Sequence, residues 1–237
     1  MRDVRARILS LIDLTSLNDS DTDATIAVLC KKAVTPIGVV AAVCVYPQFV
    51  QQAAIALRGK AVKIATVVNF PRGTDSLEIV LRLIESAIGN GAQEIDVVFP
   101  YRLFLSGNKE AARDFVQACK KACGEEVLLK IILETGALKE KNIIAEASQI
   151  AIAAGADFLK TSTGKIEVGA TLEAAEVMLL EIEKSGRAVG FKASGGVRTI
   201  DQAEKYIELA DRIMGPDWAT PRTFRLGASQ LLETLLS

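Results

Sequence analysis

The chain has 237 residues, of which 50% are hydrophobic, 24% charged and 5% aromatic, and its 28 basic and 29 acidic side chains give a net charge of −1. A chain of this length and mixed polarity buries a sizeable core, which excludes disorder as its main state. Near-neutral charge, with no Lys/Arg cluster longer than two residues, excludes the electrostatic footprint of a nucleic-acid or anionic-membrane binder, so neither partner is expected.

Histidine is absent. That removes Ser-His-Asp and Cys-His catalysis, histidine-based zinc sites and imidazole acid/base work. The cysteines stand at 30, 44, 119 and 123, and the close pair, Cys119 and Cys123, lies one turn apart in a helical segment rather than in a C-x-x-C pattern. No metal site is expected. The opening segment Met1-Arg-Asp-Val-Arg-Ala-Arg7 alternates charge with apolar residues and leads into no signal-peptide core, which predicts a cytoplasmic chain with reduced thiols. The most apolar stretch, Ile37 to Tyr46, is about half the ~20 residues that span a bilayer, and is expected to be a buried strand.

In chain order, short Val/Ile-rich runs recur at Leu11 to Leu14, Ala41 to Tyr46, Lys63 to Phe70, Glu94 to Tyr101, Val127 to Glu134, Asp157 to Thr163, Val189 to Ser194 and Asp211 to Met214. Between them lie segments of helical period. Leu77, Val80, Leu81, Ile84, Ala87 and Ile88 form one, opened by Thr74 or Asp75 and closed by Gly89 or Gly91. Thr171 to Ile182, ended by Gly186, and Ile200 to Leu209 repeat the pattern. Eight strands alternating with helices favour a (β/α)8 TIM barrel over an open doubly wound sheet, which should show G-x-G-x-x-G after its first strand and does not. No linker divides the chain, so residues 1–237 are expected to form one barrel domain with a short helical N-terminal extension.

Barrel function sits at the C-terminal ends of the strands, where charged residues interrupt an aliphatic pattern. Asp96, Lys130, Lys160 and Lys192 do this on the fourth to seventh predicted strands, each in the phase opposite its apolar neighbours. A lone lysine at a strand end is more often a snorkelling side chain. Four inward charges on neighbouring strands are costly enough to imply function. Crowding and burial disfavour protonation of such lysines, and a neutral amine attacks a carbonyl carbon, which is the logic of Schiff-base catalysis without metal or histidine. Spacing alone does not choose among Lys130, Lys160 and Lys192.

Two glycine-rich turns, Ser194-Gly195-Gly196-Val197-Arg198 and Leu226-Gly227-Ala228-Ser229 before a last helix from Gln230 to Leu236, lie where barrels hold phosphate groups. Thr161-Ser162-Thr163-Gly164-Lys165 lacks the earlier glycine of a P-loop, so nucleotide binding is not expected. Cys44 reads as a small apolar filler.

At these residues the sequence resembles the deoxyribose-phosphate aldolase family, class I aldolases built on a (β/α)8 barrel. The motifs that carry the resemblance run through nearly the whole chain: Leu11-Ile-Asp-Leu-Thr-Ser-Leu17, Ala42-Val-Cys-Val-Tyr-Pro47, Val68-Asn-Phe-Pro-Arg-Gly73, Glu94-Ile-Asp-Val-Val-Phe-Pro-Tyr-Arg102, Lys130-Ile-Ile-Leu-Glu-Thr-Gly136, Phe158-Leu-Lys-Thr-Ser-Thr-Gly-Lys165, Gly190-Phe-Lys-Ala-Ser-Gly-Gly-Val-Arg198 and Gly227-Ala-Ser229. The resemblance implies that Lys160 forms the Schiff base, and that Lys192 lowers its pKa and positions a proton-shuttling water with Asp96. It further implies that Gly164, Lys165, Gly195, Gly196, Val197, Arg198, Gly227 and Ser229 hold the phosphate, with Asp13 and Thr15 in support. The implied reaction is cleavage of 2-deoxyribose 5-phosphate to glyceraldehyde 3-phosphate and acetaldehyde, without metal or cofactor, in a homo-oligomer (dimer or tetramer).

Family members often carry Ser-Ser where this chain has Ser229-Gln230, and some end in a tyrosine tail where this sequence reads Leu235-Leu236-Ser237. A Schiff-base aldolase or transaldolase-type barrel for another phosphosugar, and a non-catalytic sugar-phosphate-binding barrel, are the alternative expectations.

Overall fold

The computed structural model describes residues 4–236, so the first three residues of the opening segment and Ser237 lie outside it. The chain begins with α1 (Val4–Leu11), β1 (Ile12–Thr15), α2 (Asp23–Lys32), β2 (Val34–Thr35), β3 (Gly38–Val39), β4 (Ala42–Val45), a 3-10 turn, α3 (Val50–Ala56), β5 (Lys63–Val68) and α4 (Leu77–Gly89). It continues through β6 (Glu94–Val98), α5 (Tyr101–Leu105), α6 (Lys109–Cys123), β7 (Leu128–Ile132), α7 (Thr135–Leu138), α8 (Lys141–Ala153) and β8 (Phe158–Lys160). The last elements are α9 (Leu172–Ser185), β9 (Gly190–Ser194), α10 (Ile200–Met214), β10 (Phe224–Ala228) and α11 (Leu231–Leu236).

Eight parallel strands close into a barrel in the order β1-β10-β9-β8-β7-β6-β5-β4, which is a (β/α)8 TIM barrel. At α2, α4, α9 and α10 a capping side chain marks where the helical period begins. Thr171 accepts a bond from the Ala174 amide at 3.1 Å at the start of α9, and Gly186 ends that helix in the left-handed region at φ 62°. Thr199 and Gln202 cap the start of α10 reciprocally. On the strands, Ile95, Val97, Leu129, Ile131, Leu159 and Phe191 belong to the main hydrophobic core. Ala42, Cys44, Ala65 and Val67 of β4 and β5 form a second, small apolar cluster with Leu17. The residues between those of the main core on β6 to β9 are the charged ones.

Four expectations need correction. Asp211 to Met214 is not a strand: the helical period that begins at Ile200 runs through it to Met214, and Asp211 serves as a polar anchor, taking Arg7 at 2.5 Å and the Ala219 amide at 2.9 Å. The eighth strand is β10, and Leu226-Gly227-Ala228 is its end rather than a turn. Its apolar run is broken in the sequence by Arg225 and Gly227, both of which have tertiary roles inside the barrel. The stretch Ile37 to Tyr46 is not one strand either. Val34–Thr35 and Gly38–Val39 form a small antiparallel hairpin outside the barrel, with Ile37 39% exposed at its tip, and only Ala42–Val45 enters the barrel. The cap of α4 is Ser76 rather than Thr74 or Asp75.

Candidate active site

Registration of the strands brings the charged residues to common levels. Asp96 lies beside Lys130 across β6 and β7, Lys160 beside Lys192 across β8 and β9, and Lys192 beside Arg225 across β9 and β10. Their side chains converge on Asp96. Its Oδ1 accepts from Lys130 Nζ at 2.8 Å, and its Oδ2 accepts from both Lys160 Nζ and Lys192 Nζ at 2.8 Å. All four side chains are essentially buried, Lys160 being 2% exposed.

The three lysines do not share one electrostatic fate, which corrects the expectation that crowding disfavours protonation of each. Burial pulls every ammonium down, but at Lys192 the carboxylates of Asp13 and Asp96 outweigh it, and at Lys130 those of Asp96, Glu94 and Asp13 do so; both are raised above the ordinary lysine value. At Lys160 burial is the largest influence, the attraction of Asp96 opposes it and the Lys192 charge adds to it, so the amine is lowered toward its neutral form. Burial alone would raise Asp96 and Asp13. The cations around them, Lys130, Lys160 and Lys192 for the first and Lys192, Arg225 and Lys130 for the second, hold both well below the usual carboxylate range. Burial pushes the Cys44 thiol up, which keeps it the uncharged filler expected.

Above this cluster, at the C-terminal ends of β1, β8, β9 and β10, a cavity of about 220 Å³ opens. It is lined by Gly164, Lys165, Gly195, Gly196, Val197, Arg198, Gly227 and Ser229, together with Thr15, Leu17, Asn18, Thr163, Ser194 and Ala228. Every residue expected at the phosphate site therefore meets in one place. Lys160 lies outside this lining, three residues before Thr163 on the same segment. Lys165 is anchored at the rim by a bond from Nζ to the Leu17 carbonyl at 2.5 Å.

Glycine is required at two points here. Gly195, at φ 91°, packs backbone against backbone: a Cβ on it would lie 3.1 Å from the Gly169 Cα and 3.3 Å from the Gly164 Cα. A Cβ on Gly227 would lie 2.6 Å from Ser194 Oγ and 3.2 Å from Lys192 Cε, so its absence clears the path of the Lys192 stem.

Several contributors escape a reading of the sequence. Glu94 and Arg225 form a buried pair at 2.7 Å and 3.0 Å, and Arg225 also reaches Asp13 Oδ1 at 2.7 Å. Glu94 shares the phase of Asp96, which is a legible signal; Arg225 sits where no strand is expected. Asp13, implied only by resemblance, takes Lys192 Nζ on Oδ2 at 2.5 Å. Glu134, in the left-handed region at φ 58°, accepts from the Thr163 hydroxyl at 2.5 Å and the Thr163 amide at 3.2 Å, fixing the loop that carries Gly164 and Lys165. Among the described residues, no group of three or more Cys, Asp or Glu side chains is placed to hold a metal ion, and no helix is long and apolar enough to cross a membrane.

Comparison with known proteins finds similarity over nearly the whole chain. The model of the DeoC/LacD family aldolases matches residues 7–235. A structure from Coccidioides immitis provisionally named a deoxyribose-phosphate aldolase is similar at 32% identity and a TM-score of 0.88, covering 99% of this chain and 86% of that one. The aldolase QR15 is similar at 30% identity and 0.83, covering 100% and 96%. The tetrameric deoxyribose phosphate aldolase of Aeropyrum pernix is similar at 25% identity and 0.81, covering 98% and 91%.

Proposed function

The chain belongs to the DeoC/LacD family of aldolases, and on that premise we propose that it is a Schiff-base aldolase that reversibly cleaves 2-deoxyribose 5-phosphate into glyceraldehyde 3-phosphate and acetaldehyde. The observation that carries the mechanism is the position of Lys160. It meets a single carboxylate oxygen, one it shares with Lys192, and burial moves it toward the neutral amine that nucleophilic attack needs. Lys130 and Lys192 each meet at least two carboxylates and stay cationic.

In this reading, neutral Lys160 Nζ adds to the C1 aldehyde, and loss of one water leaves a protonated imine. Removal of the C3 hydroxyl proton breaks the C2–C3 bond, whose electron pair moves into the imine to give an enamine on Lys160. C3 leaves as the aldehyde of glyceraldehyde 3-phosphate. Protonation of the enamine at its terminal carbon and addition of one water release acetaldehyde and restore the amine, so the water lost is regained. Asp96, held anionic, and Lys192, held cationic, orient the water that carries these protons.

The substrate phosphate occupies the cavity, against Gly164, Gly195, Gly196, Val197, Gly227 and Ser229, with Lys165 and Arg198 supplying charge. Gln230, next in sequence to the cavity residue Ser229, stands where family members often carry a second serine, so backbone amides carry more of that binding. The tetrameric relative from Aeropyrum pernix supports a homo-oligomer for this chain as well.

The test is borohydride trapping with 2-deoxyribose 5-phosphate, read by intact mass and peptide mapping, on wild type and Lys160→Leu. A reduced adduct on Lys160, absent from the variant, is expected. An adduct on Lys130 or Lys192 overturns the assignment of roles. Binding of the sugar phosphate without any adduct overturns the chemistry.

A further inference from the structure

The buried charges beneath Lys160 form a closed circuit. Starting from Arg225, Nη1 donates to Asp13 Oδ1 at 2.7 Å, and Asp13 Oδ2 accepts from Lys192 Nζ at 2.5 Å. Lys192 Nζ also donates to Asp96 Oδ2 at 2.8 Å, and Asp96 Oδ1 accepts from Lys130 Nζ at 2.8 Å. Lys130 Nζ meets Glu94 Oε2 at 2.6 Å, and Glu94 returns to Arg225 Nη2 through Oε1 at 2.7 Å. Six groups of alternating sign, from β10, β1, β9, β6 and β7, thus close on themselves, and no side chain in the circuit is more than 4% exposed. Three carboxylates balance three cations. Lys160 hangs from the ring at Asp96 Oδ2 as a seventh group for which no counter-charge is left.

We propose that Arg225 and Glu94 are positioning residues, remote from the reacting atoms, whose closure of this self-neutral ring sets the charge on Lys160. The inference rests on the reading of Lys160 as the Schiff-base lysine and adds what keeps it neutral. A single carboxylate would attract a proton to Lys160; a carboxylate already compensated by two other lysines, each locked by a further acid, exerts little net pull. The groups facing Lys160 are few and known. Asp96 and Lys192 belong to the ring, Cys44 on β4 is an uncharged thiol, and Glu134 after β7, its carboxyl raised by burial, is occupied by Thr163. β5 adds no charge at these levels, since the apolar Val67 pairs with Asp96 and the apolar Ala65 with Glu94.

Opening the ring on its two sides has opposite consequences. Arg225→Met leaves one negative charge in surplus, which stabilises the Lys160 ammonium. Glu94→Gln leaves one positive charge in surplus, which destabilises it. A unit charge at this separation in a partly screened interior moves a titration by about one pH unit.

The experiment measures the pH of half-maximal trapping of acetaldehyde on Lys160 by cyanoborohydride, mapped by mass spectrometry, in the full chain. The ammonium of Lys160 is followed separately by the 13C shift of its Cε, assigned with Lys160→Met. Arg225→Met is expected to move both midpoints up by about one pH unit and Glu94→Gln to move them down by about as much. Arg225→Lys, which keeps the charge, and the double variant Glu94→Gln/Arg225→Met, which restores neutrality, are expected to titrate close to wild type. A merely structural pair would give shifts of one sign, or none, and a double variant worse than either single; any of these overturns the proposal. If Arg225→Met does not fold, the sign of the Glu94→Gln shift and its reversal in the double variant decide. Absence of any adduct on wild-type Lys160 would sink the aldolase mechanism instead, and the 13C titration would still decide the ring.

Discussion

The ring of charges inside the barrel and the glycine-lined cavity at its mouth are both suited to charge, but they handle it in opposite ways. Inside, seven ionisable side chains from six strands satisfy one another, so each has a fixed geometry and protonation set by its neighbours. At the mouth the wall is largely backbone at Gly164, Gly195, Gly196 and Gly227, and the charges, Lys165 and Arg198, sit at the rim. A buried network gives precise protonation at the expense of tolerance: losing one member leaves others unpaired. A backbone cradle gives shape and tolerates change at its rim, but no side chain can be added where strands and loops touch.

The comparison breaks first at Asp96. Asp96→Asn removes the negative charge that three lysines share and one of its two acceptor oxygens, and is expected to lower kcat on the order of 10²–10⁴-fold and to lower stability by about 3–5 kcal/mol. Steady-state kinetics with denaturant unfolding checks both, and a variant with near-normal kcat would remove Asp96 from the chemistry.

Gly195→Ala sharpens the other side. With φ at 91° and the Gly169 Cα 3.1 Å from the added carbon, the loop must shift, at about 1–3 kcal/mol of strain. KM for the phosphorylated substrate is expected to rise on the order of 10-fold or more, while turnover of unphosphorylated 2-deoxyribose stays near wild type. An equal loss on both substrates would show that the loop does not act through phosphate.

The smallest effect is on stability. Because the folded state lowers Lys160 from the ordinary lysine value of 10.5, the unfolded chain binds its proton more tightly, and this group weakens the fold below its lowered value, less so as pH rises toward 10.5. Lys160→Met should therefore be inactive yet melt higher, by about 2–4 °C for each ~1 kcal/mol relieved in a chain of this size. The gain should be largest at neutral and lower pH and vanish as pH approaches 10.5. Scanning calorimetry across that range checks the sign, and a variant that melts lower at neutral pH would mean that the Asp96 contact outweighs burial.

The fourth to seventh predicted strands were legible because their charges interrupt apolar runs in strict period two, which marks a face even when the partner across the barrel is unknown. Asp96, Lys130, Lys160 and Lys192 therefore stood out. Glu94 was in phase but at the strand's start, where a solvated charge is ordinary. The strand at Phe224–Ala228 was not legible, since an arginine and a glycine occupy its inward positions and only Asp13, Glu94 and Ser194, all distant in sequence, explain them. Asp211 to Met214 was misread because four residues with two apolar members do not distinguish the end of a helix from a short strand. The hairpin at Val34–Val39 was hidden in an apolar run for the same reason.

By itself the sequence determined the alternation of strand and helix, the closed barrel, the inward phase of the charges and the meeting of glycine-rich segments at one end, because each depends on local period and on which side of a strand a residue falls. The tertiary structure decided which lysine is lowered and which two are raised. Protonation is set by the sum of fields from Asp13, Glu94, Asp96, Lys130, Lys192 and Arg225, and that sum has no value until the barrel closes and brings residues up to 212 positions apart within a hydrogen bond.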